Sequence, residues 1–186
     1  GLVLRGVFTC SAQEVEWFLH GMGRFFPEAW REFSDAMPEA ERGDLLSAYT
    51  RRLNDPDPEV HLPAARAWAS YEAKCSTLRP NPDAVAAMSD ANGMLALARI
   101  EAHYLSNGAF LEPDQLLDGV ERIRHLPATI VQGRYDMVCP IVTADRLARA
   151  WPEAEYTIVL DAGHSALEPG TRAALMRAVE GLKEVQ

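Results

Sequence analysis

Two apolar, β-branched runs, at 128–132 and 156–160, each end in a glycine-containing loop, and a single helical segment, 142–151, separates them. Strand, helix and strand in that order predict a βαβ unit, with parallel strands whose loops leave the same edge of the sheet. Gly133-Arg134-Tyr135-Asp136 follows the first run and Ala162-Gly163-His164-Ser165 the second, so the spacing predicts an acid and an imidazole side by side. Alone, Asp136 reads as a turn-forming aspartate at a strand end. Paired with a histidine one βαβ unit later, it reads as the acid that fixes an imidazole tautomer and stabilises the imidazolium. His164 stands apart from His20, His61, His103 and His125, which read as surface or core residues, because Gly163 before it permits a sharp loop at the end of an apolar strand.

The chain has 186 residues, 48% of them hydrophobic, enough for one ordinary core. Leu2-Val3-Leu4-Arg5-Gly6-Val7-Phe8 reads as a buried strand without lead-in, initiator methionine or signal peptide, which predicts a chain that begins inside a larger fold. A formal net charge of −9 argues against nucleic-acid partners, which demand a basic face, and favours a cationic ligand. The three cysteines, Cys10, Cys75 and Cys139, show no CxxC and no histidine at metal-ligand spacing. A cytoplasmic protein with no metal and no organic cofactor is the expectation. No apolar run reaches the roughly 18 residues of a membrane span, so no membrane partner is expected.

Between the first strand and the βαβ unit the pattern is helical. Ser11 with Glu14 three residues on is a capping-box signature, and Val15, Phe18 and Leu19 continue it as an apolar stripe. Pro27 predicts the start of a short helix to Met37, and Pro38 the start of a longer one in which Leu45, Leu46, Tyr49 and Leu53 recur at helical spacing. After the loop 54–58, Ala64, Ala65, Ala67, Trp68 and Tyr71 mark another helix, and a further one is predicted over 83–104 with a bend near Gly93. The expected organisation is a core strand in 1–10, an all-helical insertion at 11–112, and the remainder of an α/β core at 113–186.

Glu72 and Glu101 sit inside apolar, aromatic helical segments, where an unpaired buried carboxylate is costly. Either they face solvent or pair with Arg66 or Arg99, or both bind an ammonium group. Trp68, Tyr71, Tyr104 and Phe110 read first as core aromatics. Cys139, three residues after Asp136, is expected near the site without acting in it, and Cys10 and Cys75 as small buried residues. In an α/β-hydrolase the catalytic triad runs nucleophile, acid, histidine, with the last two on loops after successive late strands, which is the order of Asp136 and His164. The nucleophile elbow G-x-S-x-G occurs nowhere. The nearest segment, Gly163-His164-Ser165-Ala166-Leu167, lacks the closing glycine and places serine beside the base. The chain therefore reads as the C-terminal part of an α/β-hydrolase with the helical insertion as its cap.

Leu2 to Phe8, Glu16-Trp17-Phe18, Phe26-Pro27-Glu28-Ala29-Trp30, Arg51-Arg52-Leu53, Ala67-Trp68 with Glu72, Ala98-Arg99-Ile100-Glu101-Ala102-His103-Tyr104, Gly133-Arg134-Tyr135-Asp136 and Gly163-His164-Ser165-Ala166-Leu167-Glu168-Pro169 together resemble the proline iminopeptidase (prolyl aminopeptidase) family of α/β-hydrolase serine peptidases. The resemblance covers essentially the whole chain. It implies release of amino-terminal proline from peptides, with Asp136 and His164 as triad members and Glu72 and Glu101 at the positions that hold the substrate's free amine. It also implies that the oxyanion-hole segment and the serine lie before Gly1, so the missing N-terminal part of the same enzyme is an expected partner and the chain alone is expected to be inactive. Tyr71 stands where the family often has tryptophan before the first of these glutamates. Two other readings stand beside it: an esterase or other small-substrate hydrolase of this fold, and a non-catalytic helical binding or dimerisation module.

Overall fold

Capping and proline signals decide where the helices of residues 10–111 begin. The computed structural model describes residues 1–88 and 91–183, which divide into a helical unit, Cys10–Cys75 with Pro80–Leu111, and a sheet unit, Gly1–Thr9 with Ser76–Arg79 and Glu112–Gln186. Helix α1 (Ala12–Leu19) opens on the expected capping box: the Ser11 hydroxyl accepts from the Glu14 amide, and the Glu14 carboxylate accepts from the Ser11 amide at 3.0 Å. Helix α2 (Pro27–Asp35) starts at its proline. Pro38 does not start an α-helix. It precedes a 3-10 turn, Glu39–Asp44, and helix α3 (Leu45–Leu53) begins where the Asp44 carboxylate accepts from the Ser47 amide at 3.1 Å. Helix α4 (Pro58–Cys75) follows the loop, and the helix expected over 83–104 is two, α5 (Pro82–Met88) and α6 (Ala91–Ser106), with residues 89–90 between them outside the described residues. Gly93, the expected bend, lies within α6.

Aromatic residues from four helices make the core of this unit. Phe33 stacks on Tyr49 and on Tyr71 with ring centroids 4.5 Å apart in both pairs, and Trp68 meets Phe18 and Tyr49 at 5.3 Å. Their polar ends are bonded: Tyr49 Oη donates to Phe33 O at 2.7 Å and Tyr71 Oη to Phe18 O at 3.1 Å. Burial pushes both phenols above their ordinary range.

In the sheet unit, strands β1 (Leu2–Arg5), β2 (Ala128–Gly133) and β3 (Glu155–Val159) pair in parallel in that order, Leu4 opposite Ile130 and Ile130 opposite Tyr156. β1 ends at Arg5, short of the expected Phe8, because Gly6 adopts φ 56°, outside extended backbone. A short helix α7 (Gln115–Asp118) precedes β2, helix α8 (Ile141–Ala150) joins β2 to β3, and helix α9 (Pro169–Leu182) follows β3. Alternation along β2 sends Ala128 and Ile130 into a cluster with Ala144, Leu147 and Trp151 on the α8 side, while Val131 packs with Val159, Ala162 and Ala174 on the α9 side. Both faces of the sheet are thus covered by helices, the arrangement of an α/β protein. Ser76–Arg79, inside the stretch read as all helical, is irregular chain that belongs to the sheet unit. Among the described residues no helix is long and apolar enough to cross a membrane.

Candidate active site

The C-terminal ends of β2 and β3 bring two loops into backbone contact. Arg134 N donates to Val159 O at 2.8 Å and Tyr135 N to Ala162 O at 3.0 Å. A Cβ on Gly133 would lie 2.0 Å from Gly163 O, so only glycine allows the acid loop to approach the histidine loop this closely. Asp136 and His164 consequently meet as the sequence predicts. His164 Nδ1 lies 3.1 Å from Asp136 Oδ1 and 3.0 Å from Oδ2, with the histidine side chain 14% and the aspartate side chain 2% exposed. An ionised carboxylate only accepts, so Nδ1 is the donor of this contact, and in a neutral imidazole bonded this way Nε2 carries the lone pair.

Each partner is fixed from several sides. Asp136 Oδ1 also accepts from Cys139 N at 2.8 Å, and Oδ2 from Gln132 Nε2 at 2.9 Å. The amides of His164 and Ser165 both donate to Ser76 O at 2.8 Å, and Arg5 donates from its guanidinium to His164 O. The Glu168 carboxylate ties the histidine loop to the 76–79 segment, accepting from Gly163 N at 2.6 Å and from Leu78 N at 2.9 Å. Gly6, in its left-handed conformation, lies against the imidazole, where a Cβ would stand 3.0 Å from His164 Cε1. Sequence reading gave no role to Arg5, Ser76, Gln132 or Glu168, although Arg5 and Glu168 stand within stretches that carry the family resemblance. Gln132 carried a local signal, as a polar residue at the end of a mostly apolar parallel-strand run.

Glu72 and Glu101 lie in the helical unit, on α4 and α6. Glu101 accepts from the indole Nε1 of the fully buried Trp68 at 2.7 Å, and Trp68 is one turn before Glu72 on α4. Arg99, a candidate partner by sequence, donates instead to Leu53 O at 2.6 Å. Burial first, and then the Glu28 and Glu72 carboxylates, push the Cys75 thiol up to about 12, so it is protonated at neutral pH. Burial and Glu14 raise the Cys10 thiol as well. Cys139 is 7% exposed and contributes its backbone to the acid loop. Among the described residues no cysteine forms a disulfide and no group of three or more His, Cys, Asp and Glu could hold a metal ion.

No family model matches the chain. A proline iminopeptidase of Arabidopsis thaliana is 50% identical to it over 98% of the chain and 49% of the relative. One of Xanthomonas citri is 47% identical over 97% of the chain and 58% of the relative, and one of Neisseria gonorrhoeae 43% identical over 98% and 58%. The chain spans about half the length of the curated relatives it matches. Agreement at this level runs along nearly all of the chain's own residues, so over its whole length the chain is similar to the matching half of proteins named proline iminopeptidase.

Proposed function

We propose that this chain supplies the acid, the base and the amine site of a serine aminopeptidase that releases amino-terminal proline from peptides, and that its nucleophile lies outside these 186 residues. The observation that carries the reading is the buried Asp136 carboxylate on His164 Nδ1, which leaves Nε2 able to take a proton. In the reaction, His164 Nε2 accepts the proton of a serine hydroxyl as that oxygen attacks the scissile carbonyl, and then gives it to the leaving amine. Asp136 keeps its charge throughout and stabilises the imidazolium. This sequence contains no G-x-S-x-G, so by the same reading the 186-residue chain alone has no turnover. The chemistry calls on no metal and no organic cofactor.

Glu72 and Glu101 hold the free ammonium of the substrate in this reading, which makes the enzyme an exopeptidase: a blocked amine leaves carboxylates desolvated without a counter-charge. The net charge of −9 and the relatives' name support a cationic peptide terminus as the ligand. The test compares proline arylamide with its N-acylated form in the full-length enzyme carrying Glu72→Gln or Glu101→Gln. We expect each variant to lose about 2–5 kcal/mol in kcat/KM on the free-amine substrate, because a desolvated charge pair is removed, and nothing on the blocked one. Equal losses on both substrates assign the glutamates to folding, and no loss on either removes them from the site. His164→Ala that retains turnover removes the triad.

A further inference from the structure

We propose that Gln132 is a positioning residue for the acid–base pair: its buried side-chain amide locks the Asp136 carboxylate and the turn that carries it, and through them the orientation of His164. The inference rests on the peptidase reading above. Gln132 is the next-to-last residue of β2, opposite Ile158, and is 0% exposed. A middle strand covered on both faces favours an apolar side chain there, since a buried primary amide costs free energy wherever it is not hydrogen-bonded.

This amide is bonded at one end only. Nε2 directs one hydrogen to Asp136 Oδ2 and the other to Cys139 O, both at 2.9 Å, whereas Oε1 is buried with no hydrogen-bond partner among the described residues. An orphan acceptor makes glutamine a poor choice for stability, because methionine or leucine would fill the same space without it. What glutamine adds is the two donors, and both reach the acid loop.

Those donors complete a clamp. Asp136 begins and Cys139 ends the turn after β2, and Cys139 N already donates to Oδ1 at 2.8 Å. With Gln132 on Oδ2, both carboxylate oxygens are pinned from the strand side while His164 Nδ1 sits almost evenly between them. Rotation of the carboxylate about its Cβ–Cγ bond would break one of these bonds. The other charged side chains in the network, Arg5 and Glu168, bond the backbone of the histidine loop and not the carboxylate. Gln132 thus acts on the acid itself, and it does so from a rigid strand.

The test uses the full-length enzyme with Gln132→Met, which keeps the length and removes both donors, and Gln132→Glu, which keeps the shape and sets a second carboxylate against Asp136. For Gln132→Met we expect kcat on proline arylamide to fall about 10- to 100-fold with KM within about twofold, the loss of a charge-assisted hydrogen bond used in the transition state. The acid limb of the pH profile should move to higher pH, since a carboxylate stripped of a donor holds a proton, its own or the imidazolium's, more tightly. Gln132→Glu should move the limb further in the same direction. Thermal midpoints are read on the same samples. A glutamine that matters only for folding lowers the midpoint and leaves the limb in place, and that result overturns the proposal, as does failure of both variants to fold. His164→Ala runs alongside: turnover there defeats the peptidase reading, whereas an inert His164→Ala beside unshifted Gln132 variants defeats only the positioning role.

Discussion

Asp136 does two things to His164, and they separate by mutation. It holds Nδ1–H in place and it supplies negative charge. Asp136→Asn keeps the shape, removes the charge and permits the wrong tautomer, so kcat should fall about 10⁴-fold with substrate binding largely kept. Steady-state kinetics on proline arylamide check this, and near-normal turnover would reject the acid assignment. Gly133 is the other sensitive position. Gly133→Ala forces a methyl group to 2.0 Å from Gly163 O, and separating the two loops should cost about 2–4 kcal/mol of stability, read from the denaturant midpoint. At this scale the sequence was informative about identity and silent about contact. Asp136, His164 and both glycines were legible because strand ends and glycine loops leave local signals. That one glycine exists to admit the other's carbonyl was not, since it depends on two loops meeting.

Elements of the helical unit carry their own consequences. Tyr49 on α3 stacks on Phe33 and bonds its carbonyl, so Tyr49→Phe keeps the stack and strands a buried acceptor, for a loss of about 1–3 kcal/mol by chemical denaturation. The Arg51 and Arg52 guanidiniums of the same helix bond Glu41, and the hydrogen bond from Arg52 above all holds that carboxyl down at about 2. A depressed carboxyl stabilises the fold above its unfolded value of about 4.3 and loses that contribution as pH falls toward its folded value. Glu41→Gln should therefore be less stable than wild type at pH 7, with the difference shrinking below about pH 4 and lost only as pH falls through about 2, as thermal midpoints across that range will show. Helix existence here was legible from periodicity and caps. The start of α3 was misread, because Pro38 and Asp44 both send start signals and only the Asp44 side chain captures an amide of the following turn.

For the molecule as a whole, the chain matches about half the length of its relatives, and we expect the purified 186-residue chain to release no arylamine from proline arylamide. Turnover that vanishes in His164→Ala would overturn this and place a nucleophile within the chain. By itself the sequence determined the α/β class, the order strand–helix–strand, the pairing of Asp136 with His164 and the likeness to proline iminopeptidases, because hydrophobic period, glycine position and motif order are properties of neighbouring residues. Tertiary structure alone decided what holds that pair. Arg5 reaches the carbonyl of a residue 159 positions away, Leu78 reaches a carboxylate 90 positions away, and Gln132 turns its donors into the acid loop although its strand neighbours are apolar. Such contacts follow from which chain segments pack together, and no local pattern encodes them, because a hydrogen bond between distant residues leaves no periodicity in either one's neighbourhood.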